Sequence, residues 1–253
     1  MLKRRHILIG LSSFLAVTLP STAFAQSSVE LTLVGYAVAK PVFARLIPEF
    51  QKEWKAKTGQ TVTFKESYGA SAAQTRAVLA GLEADILVQN LQTNVTPLVE
   101  KGLVSPDWEK RLPNKAIPAY TVMVQVVRPG NPKGIKTWTD LTRNDVSIIA
   151  INPKTSGNAR WGILAGYGSV LKSEGEQRAK DYLNQFVKNI RTLVNSGREA
   201  TEAFITNRIG DVLLTFESEI IFTNEVIPRN FPYLAPSPNI QVDFPVTIVD
   251  SVV

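Results

Sequence analysis

The sequence predicts an α/β protein built from two sheet-and-helix units, and three observations carry that prediction. Strand-like and helix-like patterns alternate β-α-β-α-β-α from about residue 29 to residue 101, a Pro-rich break follows at 106–120, and a second alternation begins at Val146. Alternation of this kind implies a parallel sheet with helices on its faces, and a second run after a break implies a second unit.

The elements follow in order. Residues 29–36 (VELTLVGY) alternate apolar and polar side chains and read as a strand. Pro41 to Lys57 has helical spacing in Val42, Phe43, Leu46, Ile47, Phe50 and Trp54, with Pro41 suited to a first turn and Thr58-Gly59 as the stop. Pro48 inside this helix is expected to kink or divide it. A strand at 60–66, a helix at 71–82, a short buried strand at 84–89 and a helix at 95–101 complete the first unit. Beyond the break come a strand at 120–127 and a strand at 146–151. Helices are expected near 158–172, 176–188 and 200–207, then a strand at 211–216 and a helical stretch at 217–224. The Pro-rich run from Pro228 to Pro238 precedes Pro245 to Val253, read as one apolar strand. An exposed β-branched edge is a poor chain terminus, so further covering helices, missing here, are expected.

The first residues read as an address. Lys3, Arg4 and Arg5 precede an apolar stretch from Ile7 to Leu19, and Ala23-Phe24-Ala25 fits a small-x-small cleavage site. The apolar stretch is shorter than the roughly 20 residues of a spanning helix. Residues 1–25 are therefore expected to be a signal peptide for export to the periplasm. Its removal takes three positive charges and no acid, so the net charge falls from +6 to +3. The remaining Lys and Arg are interspersed with acids, without a basic block, and no nucleic-acid partner is expected. His6 is the only histidine and there is no cysteine. A mature chain without either has no Ser-His-Asp triad, Cys nucleophile, haem ligand set or ordinary zinc site. No cofactor, no metal and no enzyme activity are expected.

Four places share one design, in which small or hydroxyl residues lead into a helix. They are Gly35-Tyr36-Ala37, the run Ser67 to Ser71, Thr155-Ser156-Gly157-Asn158, and Ser196-Gly197-Arg198. Helix N-termini carry unpaired N–H groups and a partial positive charge, and small residues let an anion come close. A Ser at such a position also serves simply as a cap. In open α/β sheets ligands gather at the carboxyl ends of strands, so four such turns in two units point to a small anion held by neutral donors in a cleft. Asp85 and Asp211 mark strand starts rather than catalytic carboxylates, and the sequon at Asn94-Val95-Thr96 is set aside.

The run Asn152-Pro153-Lys154-Thr155-Ser156-Gly157-Asn158-Ala159-Arg160-Trp161 resembles the NPK-[ST]-SG-x-AR pattern of the bacterial periplasmic sulfate/thiosulfate-binding proteins. Ordered satellites support it: Lys57-Thr58-Gly59-Gln60, Ser67-Tyr68-Gly69-Ala70-Ser71, Gly81 to Asp85, Leu112-Pro113-Asn114, Arg128 to Lys133, and Ile209 to Val212. The resemblance implies a two-lobed type II periplasmic-binding fold, each lobe a mainly parallel sheet flanked by helices. Residues 26–118 would start lobe 1, 119–242 would form lobe 2, and 243–253 would cross back to lobe 1, whose C-terminal part would be missing.

The resemblance also implies sulfate, or thiosulfate, as ligand, a monomer, and an ABC transporter membrane permease as partner. Ala37 would supply an N–H, Ser71 and Ser156 hydroxyls, and Gly157 and Asn158 N–H groups. Around Arg198 the loop is one residue shorter than the usual SGxRG pattern. Phe216 stands where many members place a Trp whose indole donates, so that donor is lost. A pocket of donors without acceptors suits a fully ionised dianion and penalises a protonated phosphate. Other oxyanions such as molybdate, a carboxylate hydrolase and a non-binding truncated remnant are the competing readings.

Overall fold

The structure, a computed structural model, describes residues 28–228 and 230–250; the predicted signal peptide lies outside them. The first lobe opens with β1 (Ser28–Tyr36), a 3-10 turn at Ala37–Ala39 and α1 (Lys40–Thr58). It continues with β2 (Thr61–Gly69), α2 (Ser71–Leu79), β3 (Ile86–Val88) and the short α3 (Thr96–Glu100). β2, β1 and β3 are parallel neighbours. The alternation of β1 splits its side chains between two cores: Leu33 packs toward the second lobe, and Val34 packs under α2 and α3 with Leu87 and Leu98.

A left-handed turn, α4 (Pro113–Ala116), has φ near +54° to +59° at Asn114, Lys115 and Ala116 and precedes the crossing into the second lobe. That lobe contains β4 (Ala119–Val127), β5 (Ile148–Ile151), α5 (Gly157–Glu174), α6 (Glu176–Lys188) and β6 (Ile190–Val194). α7 (Gly197–Ile205), β7 (Val212–Phe216), α8 (Glu217–Val226), β8 (Tyr233–Leu234) and β9 (Gln241–Phe244) follow. β10 (Val246–Ile248) then joins the first sheet beside β3. The sheet orders are β10-β3-β1-β2 and β6-β5-β7-β4-β8, with β9 also on β4.

Parallel pairing holds where a helix connects successive strands, as among β5, β6 and β7. The crossing strands run the other way: β10 is antiparallel to β3, and β4 is antiparallel to β7, β8 and β9. The second sheet is thus more mixed than the alternation predicts, because β4 arrives from the other lobe and not through a βαβ unit. Asp85 and Asp211 are strand fasteners, as expected: one carboxylate accepts the Thr32 N–H at 2.6 Å and the other the Ser147 N–H at 2.8 Å.

Four local expectations shift. Pro48 does not divide α1, which runs through it. The predicted 71–82 helix stops at Leu79, because Gly81 turns the chain at φ +102°. β6 was not expected; it is a five-residue strand directly after α6. Of the strand expected from Pro245 to Val253, the described residues hold only β10; β9 was not expected, ends in the second sheet at Phe244, and is separated from β10 by Pro245, which supplies no N–H.

None of the 19 residues of α1 is fully buried. Its Val42 and Leu46 are each 54 % exposed, one turn apart, and Phe50 and Trp54 continue the stripe. The stripe borders a cavity of about 310 Å³ whose lining is mostly apolar. A patch of this kind binds hydrophobic dyes. Val42→Gln with Leu46→Gln is expected to reduce anilinonaphthalene sulfonate fluorescence markedly while changing unfolding stability by only about 0.5 kcal/mol per site. Unchanged dye binding would show that the stripe is covered.

Candidate functional site

The four donor-rich turns meet at one place. A small pocket between the lobes is lined by Tyr36, Ala37 and Val38 from the end of β1, and by Gly69, Ala70 and Ser71 ahead of α2. Asn90 after β3 completes the first-lobe wall, and Ser156, Asn158, Ser196 and Gly197 form the second-lobe wall. No charged side chain is among them. The 3-10 turn leading into α1, and helices α2, α5 and α7, all begin at this pocket. Their first N–H groups and their partial positive ends are therefore concentrated there.

The two Ser N-caps behave differently. Ser196 accepts the Glu199 N–H at 3.2 Å and donates its O–H to the Glu199 carboxylate at 3.0 Å, a cap that consumes the hydroxyl locally, while the other Glu199 oxygen accepts the Asn195 N–H at 3.1 Å. Ser156 makes no such cap bond to α5, although it occupies the N-cap and is 2 % exposed. Its hydroxyl belongs to the pocket wall. Ser71 is 1 % exposed; its Oγ accepts the Gly157 N–H at 2.8 Å, which leaves its own O–H as a donor. The Ala72 N–H donates to the Thr155 carbonyl at 3.0 Å. These two bonds join α2 of the first lobe to the loop before α5 of the second.

Of the predicted site residues, the pocket brings together Ala37, Ser71, Ser156 and Asn158. Three others do not line it. The Gly157 N–H is taken by Ser71, so Gly157 acts through that hydroxyl and not as a free donor. Arg198 is turned away from the pocket: its Nη2 donates to Glu219 at 3.3 Å, and its Nη1 lies 3.1 Å from the other oxygen. Phe216 is fully buried under the site, edge-on to Tyr36 at 6.5 Å and to Phe244 at 5.5 Å. Its ring is core filling beneath Tyr36 and not part of the wall.

Asn90 is the polar wall residue that the sequence reading missed, beside the apolar Val38. The available signal was its position just past the carboxyl end of β3. Asn90 and Asn158 are each 2 % exposed, and their Oδ1 atoms are buried without partners among the described residues. Burial first, and then the nearby Glu219 charge, push the Tyr36 phenol well above its usual range and keep it protonated.

Glu219 is the one nearly buried acid near the site, with its side chain 1 % exposed. Burial pushes its carboxyl up to about 7, opposed by Arg198 and by a hydrogen bond from Thr201. Among the described residues no group of His, Cys, Asp and Glu can hold a metal, and no helix is long and apolar enough to cross a membrane.

Two α/β lobes with helix starts aimed into a shared cleft define a ligand-capturing protein of the binding-protein class. Consistent with that class, the chain belongs to the bacterial extracellular solute-binding proteins, whose family pattern it matches over residues 31–252. It is 43 % identical over 224 residues to a sulfate-binding protein of Synechococcus elongatus, covering 88 % of this chain and 63 % of that protein. Identity to a thiosulfate-binding protein of Pseudomonas aeruginosa is 40 % over 245 residues, covering 96 % and 74 %. The solved sulfate-binding protein SubI of Mycobacterium tuberculosis superposes with a TM-score of 0.80 at 34 % identity, covering 87 % of this chain and 76 % of SubI. The chain thus spans less than two thirds of the length of the Synechococcus relative.

Two outcomes check this geometry. A Cβ at Gly157 would lie 2.2 Å from Asn90 Oδ1, so Gly157→Ala is expected to prevent the lobes from meeting and to lower the melting temperature. Asn90→Ala in the same chain should restore much of the loss, and purely additive effects would contradict the contact. For Glu219 the folded carboxyl holds its proton more tightly than the unfolded one, whose ordinary value is 4.5. The stability it contributes is therefore full below pH 4.5 and lost as pH rises through about 7. Denaturation across that range should show wild type losing about 2–3 kcal/mol more than Glu219→Gln. Parallel curves would exclude the effect.

Proposed function

We propose that the protein captures a fully ionised sulfate-like dianion, sulfate or thiosulfate, in the interlobe pocket and delivers it to the membrane permease of an ABC importer. The observation that carries this reading is the meeting of four helix starts from both lobes at one uncharged pocket. The sulfate- and thiosulfate-binding relatives support the ligand class. In this reading Ala37 offers its main-chain N–H, Ser71 and Ser156 offer hydroxyls, Asn158 and Gly197 offer N–H groups at helix starts, and Asn90 lines the wall opposite Ser156. Neutral donors fixed by backbone match a guest with no proton. A protonated phosphate brings an O–H that needs an acceptor in a wall built mainly of donors, and burying it unpaired is penalised. No bond is made or broken, and neither cofactor nor metal takes part. The leader at residues 1–25 fits delivery outside the cytoplasm, and the protein acts as a monomer.

Titration calorimetry of the folded protein against sulfate, thiosulfate, molybdate and phosphate tests the reading. Sulfate or thiosulfate is expected to bind most tightly, and phosphate at least tenfold more weakly. Ser156→Ala should weaken sulfate binding about 10- to 100-fold, because it deletes one hydrogen bond to a buried charge. Tightest binding of molybdate would move the assignment to another oxyanion, and silence with all four anions would end it.

A further inference from the structure

Of the run from Asn152 to Trp161, the pocket uses only Ser156 and Asn158 directly. Most of the others reach across to the first lobe. The Lys154 carbonyl accepts from the Arg76 guanidinium at 3.2 Å, and the Thr155 carbonyl accepts the Ala72 N–H at 3.0 Å. The Trp161 indole N–H donates to the Asn90 carbonyl at 2.5 Å. Resting on the anion-capture reading, we propose that Trp161 is a positioning residue that latches the lobes shut over the guest.

The geometry singles out Trp161 among these contacts. It stands on the first turn and a half of α5, partly buried, one helical turn beyond Gly157. Its acceptor is the main chain of the very residue whose side chain lines the pocket and abuts Gly157. A single bond thereby fixes the first-lobe wall against the start of the second-lobe helix. An indole N–H in a partly dry contact needs a partner, and only the closed arrangement provides this one from protein. The bond is absent while the lobes are apart, so its effect falls on opening and release and not on first encounter.

The chain has no cysteine, so Lys52→Cys on α1 and Lys172→Cys on α5 can carry a unique spin-label pair across the cleft. Trp161→Phe keeps a ring but removes the donor. In the labelled, anion-free protein it is expected to shift the interlobe distances toward longer values. In stopped-flow it should speed sulfate dissociation about tenfold with association within twofold, at an unchanged circular-dichroism melt. Distances and dissociation equal to wild type would overturn the latch. If wild type binds no oxyanion, the capture reading fails while the distance shift still decides the latch. Should Trp161→Phe not fold, Arg76→Ala removes the parallel surface bond to Lys154; a smaller shift in the same direction supports the latch, and no shift overturns it.

Discussion

The arrangement depends on one cross-lobe interaction, the bond from the Gly157 N–H to Ser71 Oγ, reinforced by the Ala72 N–H on the Thr155 carbonyl. It places the start of α2 against the start of α5. Two helix ends of like partial charge are thereby held close, which is unfavourable unless acceptors sit between them. Ser71 relieves part of that by accepting one N–H, and it then turns its own proton outward. The remaining positive character is what the pocket offers to an anion. Nothing larger than Gly fits at 157 while Asn90 holds its place, so close approach of the lobes and the chemistry of the site share the same residue.

Full charges stand near the pocket without entering it. Arg198 begins α7 but is bound to Glu219 on α8, so its guanidinium tethers the helix whose start forms part of the wall. The burial of Glu219 weakens that tether as an ion pair, because the carboxyl holds its proton up to about pH 7. Phe216 and Phe244 support Tyr36 from below through edge-on and tilted ring contacts. The wall therefore rests on an apolar floor with its charges displaced to one side.

The fold class and the four converging turns were legible in the sequence because both are local. Strand-to-helix alternation sets the sheet direction, and small residues before a helix announce an accessible N-terminus. What was not legible is non-local. Nothing in residues 153–158 says that Ser71 will consume the Gly157 N–H. The partnership of Arg198 with Glu219 joins two helices 21 residues apart. The burial of Phe216 follows from β7 lying centrally in its sheet, between β5 and β4. Ser196 was read as part of a donor turn, and its local use as a cap by Glu199, a Ser-x-x-Glu spacing, was overlooked. The antiparallel strands were missed for a related reason, since periodicity reports a strand but not the lobe from which it arrives.

A pocket without Lys or Arg is at first sight at odds with the proposed dianion, since a cation is the obvious partner for one. A buried ammonium would itself have to be desolvated, and it would attract any anion of similar size whatever its proton count. Main-chain N–H groups at helix starts are already committed to their positions and lose little on binding, so their dipoles are preorganised without a flexible charged side chain. In the proposed reading their number and direction, set by Ala37, Asn158 and Gly197 beside the Ser71 and Ser156 hydroxyls, reward a guest that accepts more than it donates. Such a site derives its strength from enclosure, because water competes for each donor as soon as the lobes part. If the proposed capture and latch hold, retention of the guest is a property of the contacts that keep the lobes together, with selectivity left to the helix starts and residence time to the bonds around Asn90 and Trp161.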